Sequence, residues 1–177
     1  MRGAYYQIKK DLQGALTLKS FAGFGSVNNP FVGVFDGNGK TIIIENAGSG
    51  FINISYGSVV RNLTIQYTGT KTLTDTRQGT TKEEKDRISD NSKEVYADSY
   101  FGGIIGTIMG GDSLIDGVTV IMNGFTITPS YCLQCAGGFV GLIQGGGVVF
   151  RNMSSQSGYT GTNSTYYVDK YIGRVLD

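Results

Sequence analysis

Residues 102–124 read GGIIGTIMGGDSLIDGVTVIMNG, and two other segments of the chain follow the same plan. The related segments are SGFINISYGSVVRNLTIQYTG at 49–69 and GGFVGLIQGGGVVFRNMSSQSG at 137–158, and a further copy, KYIGRVLD, begins at 170. The matched positions are Phe51, Ile104, Phe139 and Tyr171, then Val60, Ile115 and Phe150, then Arg61, Asp116 and Arg151, then Asn62, Gly117 and Asn152. A motif repeated at matched positions predicts one structural unit stacked on copies of itself.

Short apolar runs separated by glycine turns predict an all-β chain. Of the 177 residues 28 are glycine and 40% are hydrophobic, which argues against simple disorder. Because no helical pattern separates the strands and both of their sides are apolar, we expect a coil, or solenoid, of parallel strands spaced about 4.8 Å apart. Phe51, Ile104, Phe139 and Tyr171 then form one apolar column. A β-sandwich is the alternative, but it gives no reason for a motif to recur at matched positions.

The string PFVGVFDGNGKTIIIE occupies residues 30–45. Asp36 to Gly39 are residue types that tolerate a positive φ, so they predict a tight turn between two strands. GNGKT has the wrong spacing for a phosphate-binding loop, since position 34 is valine, and it leads into a strand instead of a helix. The sequence also lacks the pattern of the twelve-residue calcium-binding loop, which ends in a glutamate. We therefore interpret Asp36 and Asn38 as turn residues and predict no bound cofactor.

Residues 71–99 are polar and carry charges of both signs, which predicts an insertion between the first and second repeats. Thr80 and Thr81 each precede a glutamate by three residues, the spacing of a capping box for a short helix to about Arg87. The segment is either a tolerated surface loop or a recognition loop on a rigid scaffold. The segments 124–135 and 154–170 are predicted to be loops that connect the repeats.

Cys132 and Cys135 form a single C-x-x-C, and the chain has no histidine to complete a zinc site. A local disulfide or two thiols in a turn are the simpler interpretations. N-x-[ST] triplets begin at Asn53, Asn62, Asn152 and Asn163, but only Asn163 lies in a predicted linker where a glycan would be accommodated without strain. The exposed aromatic residues predicted to contact a ligand are Tyr159, Tyr166 and Tyr167.

Several of these strings resemble the repeats of bacterial cell-surface β-helix proteins. PFVGVFDGNGKTI is similar to the opening FxGxFDGNGxTI of those repeats, GGIIGTI and GGFVGLI resemble the GLUG motif, and GSVVRNLTI resembles the strand that follows it. The resemblance covers about two thirds of the chain and implies a right-handed parallel β-helix over residues 1–177, within a longer protein. Such repeats occur in adhesins and as stalks of surface proteins, including some immunoglobulin-A proteases whose metal-binding histidines lie in another domain.

The leading hypothesis is therefore a non-catalytic adhesive or spacer module, extracellular or on a cell surface, with a host glycan or protein as partner. The chain lacks histidine, so histidine-dependent nucleophilic catalysis is excluded within it. One alternative is a polysaccharide lyase or hydrolase that uses Asp36, Asp112, Asp116, Arg61 or Arg151, although ion pairing is the simpler role for the last three. Another is a structural subunit of a viral or filamentous assembly with end-to-end contacts. A net charge of +1 gives no reason to expect nucleic acid, and no apolar run is long enough to cross a membrane.

Overall fold

The computed structural model describes residues 3–74, 100–130, 136–156, 160–161, 168–169 and 171–175. These ranges form an all-β structure without helices. The strands are β1 (Ala4–Gln7), β2 (Leu16–Lys19), β3 (Phe31–Glu45), β4 (Ile52–Thr68), β5 (Thr70–Thr74), β6 (Phe101–Gly102), β7 (Ile105–Gly110), β8 (Asp112–Ile121), β9 (Thr126–Ser130), β10 (Ala136–Gly137), β11 (Val140–Ile143), β12 (Gly147–Arg151), β13 (Ser154–Gln156), β14 (Thr160–Gly161), β15 (Val168–Asp169) and β16 (Ile172–Val175). No helix in the described ranges is available to span a membrane.

The described strands pair in parallel and fall into three sheets. The largest sheet follows the order β1-β3-β4-β7-β11-β16, with β2 paired to β3 and with β8 joining β4 to β12 and β13. Two smaller sheets have the orders β15-β10-β6 and β14-β9-β5. Parallel pairing of two strands requires a crossover connection that returns the chain to the same end of the sheet before the second strand begins.

The repeats lie directly on one another at the positions that the sequence matches. The backbone N–H of Ile104 donates to Phe139 O at 2.9 Å, and the N–H of Phe139 donates to Tyr171 O at 3.0 Å. Val60 pairs with Ile115, and Ile115 pairs with Phe150. Phe51, Ile104 and Phe139 are at most 2% exposed. The predicted apolar column is therefore confirmed, with Tyr171 as its more exposed last member.

The large sheet contains two strips of strand segments, which meet at a corner. The aliphatic face consists of residues 4–7, 33–36, 58–61, 113–116 and 148–151, stacked in that order as rungs 1 to 5. The threonine face consists of residues 16–19, 40–45, 63–68, 118–121 and 154–156. In β3, β4 and β8 the side chains of both faces alternate between buried and partly exposed, as expected for strands that cover a core on one side, whereas residues 4–7 and most of 16–19 are exposed.

The glycines that open the second and third repeats allow backbones to approach one another closely. A Cβ on Gly102 would lie 2.0 Å from Ile105 O, and a Cβ on Gly137 would lie 2.0 Å from Val140 O. Any larger residue would therefore push β6 or β10 away from the strand that follows it. These glycines are needed for packing between neighbouring strands, which is a second role beside the glycine turns predicted from the sequence.

Three predictions about connections are wrong. The segment 124–135 is not simply a loop, because Thr126–Ser130 is a strand that pairs with Thr70–Thr74. The predicted insertion at 71–99 therefore begins later than expected, since 71–74 belong to a strand, and the predicted helix within it lies outside the described residues. The segment after the third repeat likewise contains paired strands, including Ser154–Gln156 and Thr160–Gly161. Threonine-rich strands such as TKTLT at 70–74 and TITPS at 126–130 look like polar loops in sequence.

Candidate functional site

A row of charged residues runs across the rungs where the aliphatic face ends. In the register of the paired strands, Asp36 lies beside Arg61, Arg61 beside Asp116, and Asp116 beside Arg151. The charge therefore alternates in sign from one rung to the next. We call these four residues the charged row. It contains four of the five residues that the enzyme hypothesis requires.

The chain turns the corner just after the charged row through residues in the left-handed region. Asn62, Gly117 and Asn152 occupy this position in rungs 3 to 5, with φ of 53°, 62° and 51°. In rung 2 the corner is longer, and Asn38 and Gly39 take the positive φ values of 53° and 71°. Asparagine and glycine are the residues that adopt this conformation at low cost. The turn predicted between two strands at 36–39 is found instead as an irregularity within one strand, Phe31–Glu45, whose register with β4 shifts between Asp36 and Lys40.

Asp36 is the best-coordinated group of the charged row. Its Oδ1 accepts hydrogen bonds from the backbone N–H of Asn38 at 2.9 Å and from Asn62 Nδ2 at 3.3 Å. Its Oδ2 accepts from Arg61 Nε at 2.9 Å and from the Tyr5 hydroxyl at 3.1 Å. The Asp36 side chain is 7% exposed, whereas that of Arg61 is 43% exposed. The carboxylate thus joins three rungs, because Tyr5, Asp36 and Arg61 belong to rungs 1, 2 and 3.

These contacts keep Asp36 ionised. Burial by itself raises the pKa of the carboxyl, but the hydrogen bonds from Asn38, Asn62, Tyr5 and Arg61 together outweigh it and lower the pKa below its ordinary value. A carboxylate offers about four acceptor positions, and four donors already occupy those of Asp36. Asp36 therefore has neither a raised pKa for general acid catalysis nor a free lone pair for a cation.

The hydrogen bond from an asparagine of one rung to the aspartate of the rung before it occurs twice, between rungs 2 and 3 and between rungs 4 and 5. Asn152 Nδ2 donates to Asp116 Oδ1 at 2.8 Å, just as Asn62 donates to Asp36. Asp-Gly at 36–37 and 116–117 alternates with Arg-Asn at 61–62 and 151–152. Within the described ranges Arg151 forms no ion pair, since the carboxylate of Asp116 lies beyond 4 Å from it. Rungs 2 and 4 supply acceptors, and the asparagines of rungs 3 and 5 supply matching donors.

An open depression of about 440 Å³ lies at the corner beside the charged row. Its lining residues are Asp36, Asn38, Gly39, Asn62, Leu63, Thr64 and Gly117. The only carboxylate in that lining is the fully bonded Asp36, and the described residues contain no group of three or more metal-ligating side chains. The depression therefore offers amide and hydroxyl groups for hydrogen bonding but no group arranged for proton transfer.

The remaining predicted site residues are not brought into this arrangement. Asp112 lies on the surface at the other end of its strand segment. Cys132, Cys135, Asn163, Tyr159, Tyr166 and Tyr167 lie outside the described residues. Asn62 and Asn152 are exposed at the corner and not directed inward, although their amides are engaged by Asp36 and Asp116.

Sequence reasoning missed the contribution of Tyr5. Its hydroxyl donates to Asp36, and the Arg61 guanidinium lies 6.0 Å from the centre of its ring. No local pattern connects Tyr5 with Arg61, which lies 56 residues further along the chain. The pairing of β1 with β3 and of β3 with β4 places the two side chains together.

No protein-family model matches the chain, and comparisons with curated proteins and with solved structures also find no match.

Proposed function

We propose that this chain is a non-catalytic module of an extracellular or cell-surface protein, and that it forms a right-handed parallel β-helix that acts as a rigid spacer or an adhesive surface. The observation that carries the proposal is the in-register parallel stacking of matched positions in successive repeats. The stack from Ile52 through Ile105 and Val140 to Ile172 is its clearest part. The resemblance of the repeats to the GLUG motif of bacterial surface proteins supports the same role.

Stacking of this kind suits a spacer for a physical reason. Each rung supplies the next with backbone partners and with one more member of each apolar column, so its stability depends mainly on its nearest neighbours. Additional rungs lengthen the structure by about 4.8 Å each without any change in the design of the core. A surface protein can therefore vary the reach of such a module by changing the number of repeats.

The chemistry of the charged row supports a role without catalysis. Asp36, the most buried carboxylate of the row, uses its acceptor positions to bind neighbouring rungs together. Arg61 is held by Asp36 and Tyr5, and Asp116 is bonded to Asn152. A lyase or hydrolase needs a carboxylate or base with a perturbed pKa and access to substrate, and Asp36 instead has a lowered pKa.

Two experiments test the proposal. Antibodies against the chain should label intact, unpermeabilised cells that express the parent protein, and labelling only after permeabilisation would overturn the surface role. The purified chain should also release no product from a panel of acidic polysaccharides. Turnover that is lost in the double variant Arg61→Ala and Asp116→Ala, but kept in Asp112→Ala, would instead establish the enzyme.

The adhesive form of the proposal has its own test. Binding to glycan arrays and to immobilised host proteins should weaken when residues 75–99 are shortened or when Tyr159, Tyr166 and Tyr167 are replaced by serine. Replacement of Tyr56, an exposed tyrosine elsewhere on the described surface, is the matched control. Binding that depends on none of these changes would mean that the adhesive contact lies elsewhere.

A further inference from the structure

The outer side of the aliphatic face carries a continuous apolar stripe. Tyr5, Val34, Val59, Leu114 and Val149 pair with one another in that order, one residue from each of the five rungs. We call these five residues the outer stripe. Tyr5 is 55% exposed and Val149 is 51% exposed, and the three members between them are partly exposed.

The core does not require this stripe. The inward side chains of the same strands, Phe35, Val60 and Ile115, are already buried and complete the apolar column on the other side of the sheet. The neighbouring threonine face is more polar on its outward side. It carries a hydroxyl row, formed by Thr41, Thr64, Thr119 and Ser154, and a mixed row, formed by Ile43, Gln66, Ile121 and Gln156. An aliphatic row next to a hydroxyl row on one continuous sheet indicates that the aliphatic face meets a partner.

The charged row beside the stripe specifies the kind of partner. From rung 2 to rung 5 its signs are negative, positive, negative and positive, for Asp36, Arg61, Asp116 and Arg151. The same row read backwards is positive, negative, positive and negative. A second copy of the chain with its rungs in reverse order therefore presents an opposite charge at every rung, whereas a copy with its rungs in the same order presents like charges.

We propose that two copies of this chain pair through their aliphatic faces about a twofold axis that lies in the interface, parallel to the strands, between rungs 3 and 4. Arg61 of one copy then faces Asp116 of the other, and the twofold axis repeats this pair. Arg151 lies opposite Asp36, which is already bonded within its own chain, so the two Arg61–Asp116 pairs carry the charge complementarity. In the outer stripe Val59 faces Leu114, and the same operation repeats each contact, as an isologous interface requires. The proposal concerns the chain in solution and does not depend on the proposed surface role.

The size of the face determines how strong this pairing is. Four rungs span about 14 Å along the stack, and strand segments of four residues span about 13 Å. The footprint is thus a few hundred Å² per copy, below the roughly 800 Å² per partner of a stable complex. We therefore expect a weak, reversible dimer that becomes weaker as salt screens the charged row.

Sedimentation equilibrium of the full chain between about 10 μM and 1 mM tests the proposal. We expect a monomer–dimer equilibrium that Leu114→Lys weakens by about tenfold or more, because the substitution introduces a charge at the centre of the stripe. Asp116→Arg should weaken the equilibrium as well, since it makes the central pairs repulsive. Ile43→Lys is the matched control, because Ile43 is an outward aliphatic residue of the threonine face, and it should leave the dimer unchanged.

The same experiment can overturn the proposal. A monomer at every concentration would mean that another molecule covers the stripe. Self-association that is lost in Val175→Lys, at an exposed position in β16, but kept in Leu114→Lys would indicate end-to-end contact between copies. If Leu114→Lys lacks the circular dichroism spectrum of the native chain, Val149→Lys provides the same test at a more exposed position.

Discussion

Replacement of Asp36 by asparagine tests whether the charged row holds the rungs together. The amide keeps one acceptor oxygen but directs an NH₂ group at Tyr5 and Arg61, which are both donors in the native contact. Hydrogen bonds to a charged group contribute about 1.5–3 kcal/mol each and neutral ones about 1 kcal/mol. The loss of the Tyr5 bond and the weakening of the two bonds to Oδ1 therefore predict a loss of about 2–4 kcal/mol in the free energy of unfolding.

Asp116→Asn is the matched control because it occupies the same row with fewer bonds. Asp116 accepts one hydrogen bond, from Asn152, at an exposed position, so its replacement should cost about 1 kcal/mol or less. Urea unfolding followed by circular dichroism measures both variants. For a chain of this size the Asp36 variant should also melt about 5–15 °C lower than the native protein. Equal losses in the two variants would refute the idea that Asp36 joins the rungs.

The pH dependence of stability provides an independent test of Asp36. Its pKa in the folded state lies below the ordinary value of 3.8, so the folded state binds the Asp36 proton more weakly than the unfolded chain does. The stabilisation is therefore complete above the unfolded pKa and is lost as the pH falls from about 5 through the folded pKa. The stability difference between the native chain and Asp36→Asn should shrink over that interval, and a difference that is constant down to about pH 2 would contradict the assigned pKa direction.

Three further predictions concern the core and the corner. Phe51→Ala should cost about 3–5 kcal/mol in urea unfolding because Phe51 is fully buried, while Val27→Ala at an exposed position should change stability by less than about 0.5 kcal/mol. Tyr67→Phe should cost about 1–2 kcal/mol, since the buried Tyr67 hydroxyl donates to Gly103 O at 2.9 Å and its loss leaves that carbonyl unpaired. Gly117→Asn should be tolerated within about 0.5 kcal/mol at a φ of 62°, whereas Gly117→Val should cost about 1–2 kcal/mol, and thermal melts compare the two.

The stacking of the repeats could be predicted from the sequence because it depends on positions that recur. The matched slots of Phe51, Ile104 and Phe139 are the slots that the backbone hydrogen bonds join. The strand Thr126–Ser130 could not be predicted in this way, because its sequence, TITPS, contains a proline and three hydroxyl residues and is typical of a loop. Its identity as a strand depends on pairing with Thr70–Thr74, which is a tertiary contact that no local pattern encodes.

The charged row could be predicted only in part, and the reason lies in its period. When single repeats are aligned, one position contains Arg61, Asp116 and Arg151. Asp36 does not align with them, because the corner after it is longer than the corners of rungs 3 to 5. Alignment of single repeats also treats the change from Arg to Asp as variation at one position. In the structure that change has a function, because an Asp-Gly rung accepts hydrogen bonds from the Arg-Asn rung that follows it. The unit that repeats chemically is therefore a pair of rungs, and a substitution that makes neighbouring rungs alike should be more harmful than one that exchanges residues while the alternation is kept.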